Sequence, residues 1–186
     1  MPDAMIVRHC APTLAGLKTA SMFTCPFQSR EEMNRQVSRL NRRLAPKGIR
    51  VLPLRYRGGR GLIYLYRPGW LNRDLQQAES RCILTRCGYG WDTCAGQLRR
   101  LRQRLESSRE FPHEIGLFLG YPPEDVRGFM EEKAENYKCV GCWKVYGDPE
   151  RAQRTFDRYK KCTDAYCRCL EKGRPIEGLA VIRKGS

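Results

Sequence analysis

The chain has 186 residues, of which 41% are hydrophobic and 30% are charged, the composition of an ordinary globular protein. It contains no apolar run of about 20 residues, which excludes a membrane-spanning helix. The early acidic residue and the missing apolar core argue against a signal peptide, so we expect a cytoplasmic protein with no membrane partner.

The formal net charge of +15 is placed unevenly along the chain. Residues 1–110 form a strongly basic part with a net charge of +13, whereas residues 111–186, which contain a Cys-x-x-Cys motif, carry +2. The excess predicts an anionic partner: a nucleic acid, a phosphate-bearing ligand or an acidic protein. The alternative is a solvated arginine-rich surface without a specific partner. The length fits a single domain, residues 1–186.

Two helices are predicted first along the chain. Pro12 suits the first turn of a helix because its missing N–H would have no partner there, which places Cys10 at the helix N-terminus. Ser29 and Glu32 form a capping box, and apolar residues then recur at helical spacing until Pro46 ends the helix. These apolar residues are Met33, Val37, Leu40 and Leu44.

Two β-rich runs follow, from Ile49 to Leu54 and from Leu62 to Tyr66. Between them, a Gly-Gly pair can supply the positive φ angles of a tight hairpin turn. Arginines flank this turn, and tyrosines alternate with them, which predicts a nucleic-acid or anion-binding surface. A half-buried strand pair with one exposed face is the alternative. The arginines at the centre of this prediction are Arg55, Arg57 and Arg60, and the tyrosines are Tyr56, Tyr64 and Tyr66.

The remaining elements are predicted from periodicity and from turn residues. Helices are predicted around 71–82, around 94–105 with Asp92 as the N-cap and Ser107-Ser108 as the end, from Pro122 onwards, and from Asp148 to Gly173. Ile115 to Leu119 is predicted to be a central buried strand, 143–146 a short strand, and 179–182 an edge strand. The fold class is therefore α+β, with a small mixed sheet of about four short strands covered by five or six helices.

Three long strings carry a resemblance to a known family: HCAPTLAGLKTASMF, FPHEIGLFLGYPPEDVRGF and CVGCWKVYGDPERAQRTFDRYKKC. They resemble the bacterial domain-of-unknown-function family 3793. This resemblance spans nearly the whole chain and implies a single-domain cytoplasmic protein, but it implies no activity, cofactor or catalytic residue.

A weaker resemblance points to papain-like, NlpC/P60-type cysteine hydrolases. These enzymes place a nucleophilic Cys at a helix start and a His at the head of a later strand, as Cys10 and His113 would lie here. We therefore expect thiol chemistry with Cys10 as the nucleophile, His113 as the base and Glu114 as one candidate to orient it. Asn136 and Asp148 are the other candidates. No complete catalytic signature is present, so whether the protein is an enzyme stays open.

Ten cysteines suggest a second alternative, a site for Zn or an Fe–S cluster. Cys139 and Cys142 have chelating spacing. A continuous last helix can add only one ligand, for which Cys162 is the candidate, because its other cysteines point in different directions or lie about 10.5 Å further along the axis. Cys167 is expected to be a spectator away from the core. Buried cysteines that act as small hydrophobic residues are the simplest alternative.

Overall fold

The computed structural model describes residues 1–90, 93–107 and 110–182. The α+β class is confirmed, because the described residues form nine α-helices, a three-stranded sheet and a two-stranded sheet. Both sheets are antiparallel rather than mixed. The helices are α1 (Asp3–Leu14), α2 (Arg30–Leu44), α3 (Pro68–Gln76), α4 (Ala78–Arg86), α5 (Cys94–Ser107), α6 (Ile115–Phe118), α7 (Pro123–Glu131), α8 (Pro149–Glu171) and α9 (Ile176–Leu179). The strands are β1 (Ala20–Pro26), β2 (Arg50–Arg57), β3 (Arg60–Tyr66), β4 (Cys139–Val140) and β5 (Lys144–Val145).

The chain forms two compact units. We call residues 1–70 and 159–182 the first unit and the described residues between 71 and 158 the second unit. The helix α8 passes from the second unit into the first. The prediction that residues 1–186 form a single domain stays a prediction.

The first unit is built on the sheet β1–β3–β2, in which β3 is the central strand. Both faces of β3 are buried, since residues 61–65 are buried one after another. On one face, Phe23, Ile63, Leu65 and Val51 form a core with the apolar stripes of α1 and α2. The strand β1 was not predicted, although Phe23 and Cys25 alternate with more exposed residues as a half-buried strand requires.

The first helix corrects the predicted helix start at Pro12. It begins after Pro2 with Asp3 in its first turn, and Pro12 lies inside the helix near its end. Early Pro and acidic residues favour a helix N-terminus, because Pro has no N–H to leave unpaired and a carboxylate is stabilised by the helix dipole. Cys10 therefore lies in the body of a helix and not at its N-terminus.

The second helix is confirmed in its start and its core stripe. The Ser29 side chain accepts a hydrogen bond of 3.1 Å from the Glu32 backbone N–H, and the four predicted apolar residues are buried. Asn41 on this helix also bonds to β2: its side chain donates to the Val51 carbonyl and accepts from the Val51 N–H, both at 2.8 Å. The helix thereby satisfies backbone groups of a strand that lies at the sheet edge.

The hairpin between β2 and β3 is also confirmed. Gly58 and Gly59 both have positive φ, +55° and +69°, as a two-residue hairpin turn requires. The strand β2 contains a bulge at Leu54, because Pro53 pairs with Ile63 while Arg55 already pairs with Leu62. A bulge of one residue changes which side chains face the core beyond it.

The C-terminal part of the first unit corrects the predicted edge strand at 179–182. Its residues end the short helix α9 and then run beside the end of α1, where the Val181 N–H donates to the Leu14 carbonyl at 2.9 Å. Buried Arg67 completes this junction, since its guanidinium donates to the carbonyls of Thr13, Leu14 and Val181, each at 2.8 Å. A cation at a helix C-terminus is favoured because the carbonyls there lack helical partners.

Arg43 joins three helices of the same unit. It makes two hydrogen bonds to Asp3 of α1, at 3.0 and 2.7 Å, and an ion pair with Glu177 of α9. The hydrogen bond from Arg43 lowers the pKa of Glu177. Charge-assisted hydrogen bonds therefore hold α1, the first helix, and α9, the last helix, to the last turn of α2.

The second unit is mostly helical and corrects two predictions. Ile115 to Leu119 is a one-turn helix and not a central strand, although it is buried as predicted. The predicted helix around 71–82 is broken at Gln77, whose ψ of 139° is extended, and Cys82 is exposed on the second piece. The core stripe of α5 is confirmed at Leu98, Leu101 and Leu105, whereas the predicted Asp92 cap and Ser108 lie outside the described residues.

A carboxylate of α7 positions the hairpin β4–β5 within the second unit. Asp125 accepts hydrogen bonds from the Trp143 indole N–H at 2.7 Å and from the backbone N–H groups of Tyr146 and Gly147. The Trp143 ring packs between Tyr121 and Phe156, with ring centroids 4.8 and 4.6 Å away. The predicted strand at 143–146 is thus present, and it is anchored to the start of α7 and to α8.

Candidate anion-binding site

Three arginines predicted to bind anions, Arg55, Arg57 and Arg60, lie on one face of the β2–β3 hairpin; we call them the hairpin arginines. Arg57 pairs directly with Arg60, and Arg55 lies two residues before Arg57, so their side chains share a face. The bulge at Leu54 causes this arrangement. Without the extra residue, Arg55 and Arg57 would continue the alternation of Val51 and point towards the core.

The geometry places like charges beside each other. Side chains of directly paired residues lie about 4.5–5.5 Å apart at Cβ, and like charges in such a pair are destabilising. Arg57 and Arg60 are both exposed, and Arg60 donates to the Thr24 hydroxyl at 2.9 Å on the neighbouring strand. Within residues 1–90, 93–107 and 110–182, neither Arg57 nor Arg60 forms an ion pair with a carboxylate.

The tyrosines that alternate with these arginines in the sequence are divided between the two faces of the sheet. Tyr56 lies on the opposite, core-facing side, where its hydroxyl donates to Asn34 at 2.8 Å and its ring meets Phe27. Tyr64 and Tyr66 lie on the same face as the hairpin arginines. Tyr64 is fully buried there, and its ring stacks on that of Tyr66 at 4.9 Å. The prediction of a mixed tyrosine and arginine surface is therefore wrong for Tyr56, which faces the core, and for the buried Tyr64; for Tyr66 it stays a prediction.

The charge of the whole chain is concentrated in the first unit. Residues 1–70 and 159–182 carry 18 Lys and Arg against six Asp and Glu, a net charge of +12. The described residues of the second unit carry 14 against 13, a net charge of +1. The division between residues 1–110 and 111–186 in the sequence therefore only approximates a sharper division between the two units.

A second exposed group of arginines lies on α2. Arg35, Arg39 and Arg42 are spaced so that they share the outer face of the helix, with rises of about 6 and 4.5 Å between successive residues. This row lies on the polar side of an amphipathic helix whose apolar side is buried. It lies on the opposite side of the sheet from the hairpin arginines, because α2 packs on the face that contains Val51 and Tyr56.

Cys10, the predicted nucleophile, is completely buried in the first unit. Burial raises the pKa of its thiol to about 12, although Lys18 and a hydrogen bond with Ser21 act in the opposite direction. A thiol nucleophile needs an accessible thiolate, and this environment disfavours the thiolate. The helix start that was expected to stabilise the thiolate is absent at Cys10.

His113 and Glu114, the predicted base and its orienting residue, belong to the second unit. His113 is exposed, and its ring contacts that of Phe129 edge-on at 4.9 Å. Glu114 is buried and accepts a hydrogen bond from the Tyr89 hydroxyl at 3.0 Å; it also pairs with the Arg104 guanidinium at 2.6 Å. The catalytic roles of Cys10, His113 and Glu114 stay predictions, and the contacts of Glu114 give it a structural role that was not predicted.

The predicted metal ligands are divided between the units. Cys139 and Cys142 lie on the β4–β5 hairpin, where Cys139 packs on the small core of Val145, Ala152 and Phe156 and Cys142 is exposed. Cys162 belongs to the first unit, and burial raises its pKa to about 11. The part of the chain that the structure describes contains no group of three or more His, Cys, Asp or Glu side chains placed to hold a metal ion. A role of these cysteines as Zn or Fe–S ligands stays a prediction.

Cys167 differs from its prediction as a spectator. The helix α8 is continuous over 23 residues, as predicted, but Cys167 and Cys169 both pack against the main core of the first unit. The face of α8 that contacts the core is therefore wider than a single apolar stripe, since Cys167 and Cys169 contact the core as well as Tyr166 and Leu170.

The chain is thus an α+β protein whose first unit carries nearly all of the net positive charge and three neighbouring arginines on one hairpin. It belongs to the family of proteins of unknown function DUF3793, whose model matches residues 6–180. The match confirms the resemblance seen in the three sequence strings and gives no support to the one with NlpC/P60-type hydrolases. No curated protein and no solved structure matches the chain. None of the described helices is long and apolar enough to cross a membrane.

Proposed function

We propose that this protein binds nucleic acid through its phosphate backbone and that the hairpin arginines make the central contacts. The observation that carries the proposal is the side-by-side placement of Arg57 and Arg60 on a hairpin, exposed and without a carboxylate partner in the described part of the chain. Repulsion between two neighbouring guanidinium groups is relieved when a phosphate binds between them. Guanidinium groups also match phosphate oxygens in geometry and can donate two hydrogen bonds at once.

The surroundings of the hairpin arginines support the same function. The net charge of +12 on the first unit attracts a polyanion over a distance of about a Debye length and raises its association rate. The short turn and the pairing of β3 on both sides restrict the backbone that carries the arginines, so little conformational entropy is lost on binding. Base readout is not part of the proposal, because phosphate contacts alone carry no sequence information.

The test is the salt dependence of binding to a fluorescent duplex oligonucleotide, measured by anisotropy between about 50 and 200 mM salt. Each phosphate contact contributes about −0.9 to the slope of log affinity against log salt. The double variant Arg57→Gln with Arg60→Gln should therefore reduce the slope by about 1.8.

The matched control is Arg39→Gln with Arg42→Gln on α2. It removes the same charge from the same unit but on the opposite side of the sheet, so it should leave most of the slope in place. An equal effect of both variants would show that only the overall charge matters, and it would contradict a site at the hairpin. Absence of binding at the lowest salt, or displacement by polyglutamate as effective as by nucleic acid, would contradict nucleic-acid binding itself.

A further inference from the structure

The second unit contains a cavity of about 310 Å³ that the proposed function does not use. Its volume is at the lower end of the range for small-molecule sites, about 300–1,000 Å³. Three acidic side chains line it, Asp74 of α3, Glu79 of α4 and Glu124 of α7, against one basic side chain, Arg151 of α8. The wall of the cavity is therefore negative, although the whole chain carries a net charge of +15.

The three carboxylates are spread around the cavity and do not meet at one point. They come from three different helices, and among the residues that the structure describes no three Asp, Glu, His or Cys side chains are placed to hold a single metal ion. Asp74 and Glu79 already pair with the guanidinium groups of Arg73 and Arg127. Glu124 forms no ion pair in the described part of the chain. A ligand that neutralises this wall must therefore carry separate positive charges.

A hydroxyl group also faces the cavity. Ser80 lines it and is only 2% exposed. Within the described residues its hydroxyl forms no hydrogen bond, and it is not one of the side-chain oxygens that are cut off from solvent without a partner. The small accessible area of Ser80 therefore includes the hydroxyl, which adds an uncharged hydrogen-bond acceptor to the carboxylates.

The rest of the wall favours a ligand that donates hydrogen bonds. Pro122 and Pro123 have no backbone N–H, and together with Leu117 they contribute apolar carbon. The N-termini of α4 and α7 would by themselves attract an anion, but Glu79 and Glu124 lie in their first turns and already supply negative charge there. An ammonium group has three donors and no acceptor and therefore fits this wall, whereas a phosphate or carboxylate would face the acidic side chains.

We infer that the cavity binds a small linear diamine or polyamine. The ammonium groups of the ligand donate to Glu124, Asp74 and Ser80, and its methylene chain contacts Leu117 and the two prolines. Glu124 makes the central contact, because the described chain gives it no ion pair of its own. This inference goes beyond the proposed function and does not depend on it.

The experiment is calorimetric titration of 1,4-diaminobutane into the full-length protein, freed of nucleic acid, at about 0.1 M salt. Glu124→Gln should weaken binding about tenfold or more, because a hydrogen bond between charged groups is lost. Glu131→Gln is the matched control, since it removes the same charge from the other end of α7, about 10.5 Å along the axis, and does not line the cavity. The Debye length at this salt is about 10 Å, so the control should change the affinity by less than about twofold.

Two further variants and a second probe test the remaining parts of the wall. Ser80→Ala should weaken binding several-fold without lowering Tm, because the described chain provides no hydrogen bond for this hydroxyl to lose. Arg151→Gln should tighten binding, because it removes a charge of the same sign as the ligand. Butylamine, which keeps one ammonium group, should bind about tenfold more weakly than the diamine.

The opposite results would overturn the inference. Equal affinities in Glu124→Gln and Glu131→Gln would contradict the site, and butylamine that binds as tightly as the diamine would contradict the need for separate charges. Displacement of the diamine by Mg²⁺ at lower concentration would assign the cavity to a metal ion instead. Absence of both binding heat and a rise in Tm at millimolar diamine would contradict polyamine binding altogether.

Discussion

Cys10 should be the slowest cysteine of the folded protein to react with a thiol reagent. With a pKa of about 12, only about one Cys10 thiol in 10⁵ is a thiolate at pH 7. An exposed thiol with the ordinary pKa of about 8.5 has about 3% thiolate, which is about 3,000 times more. The more basic thiolate is intrinsically more nucleophilic, which raises its rate of reaction with a disulfide reagent by about 40-fold. The chemistry alone therefore leaves Cys10 about 100-fold slower, and its complete burial slows it further.

The assay is timed modification with an aromatic disulfide reagent at pH 7, followed by peptide mass spectrometry. The exposed Cys82 and Cys142 should be modified first and Cys10 last. In urea, all ten cysteines should react at similar rates, which serves as the internal control for reagent access. If Cys10 in the folded protein reacts within about tenfold of Cys142, the assigned burial and pKa are wrong, and thiol chemistry at Cys10 regains its support.

Three further results are expected. Glu114→Gln should lower the free energy of unfolding by about 2–3 kcal/mol in urea titration, because it removes the charged partner of Arg104 in a buried site; an effect below about 0.5 kcal/mol would contradict the ion pair. Gly141→Ala should destabilise the protein by about 1–3 kcal/mol, seen as a lower Tm, because the new methyl group would overlap the Phe156 ring. Raising the pH from about 9 to 11 should destabilise the wild type by about 1.4 kcal/mol per unit more than Cys10→Ala, since the unfolded chain releases the Cys10 proton in this range and the folded protein retains it.

Local signals predicted the hairpin and the second helix correctly. A capping box and a Gly-Gly turn act through a few neighbouring atoms, so the surrounding fold does not change their meaning. The same holds for Pro122 and Asp148, which open helices as predicted. The bulge at Leu54 has no comparable sequence signal. It arises in the pairing of β2 with β3, and it decides on which face of the sheet the hairpin arginines and Tyr56 lie.

Burial on all sides explains the errors at the short elements. The run Ile115 to Leu119 is apolar at every position, and such a run has no period that distinguishes a strand from a turn of helix. The space beside Gly116 is filled by Val126 and Tyr121, so the choice of helix there reflects close packing with α7. At Cys10, the helix-start signal of Pro12 was overridden by the earlier and equally good one at Pro2 and Asp3.

The residues of the candidate site were predicted from the sequence, but the concentration of positive charge in one of the two units was not. All three hairpin arginines were named from their proximity to the turn, whereas the concentration of charge in one unit depends on residues 159–182 joining residues 1–70. That association is made by contacts between distant parts of the sequence, such as Arg67 with Val181 and Arg43 with Glu177. No periodicity or local motif encodes such contacts.

The discontinuous first unit has a consequence for the order of events during synthesis. Once residue 158 has left the ribosome, every residue of the second unit is available. The first unit cannot form all of its contacts at that point. Glu177 and Val181, the partners of Arg43 and Arg67, emerge only after about two dozen further residues. Until then the carbonyls at the end of α1 and the core-facing side of the sheet lack their C-terminal cover. The nascent chain therefore cannot complete the core of its most positively charged part until residues 159–182 have emerged, and during that time this part lies beside ribosomal RNA, which is a polyanion.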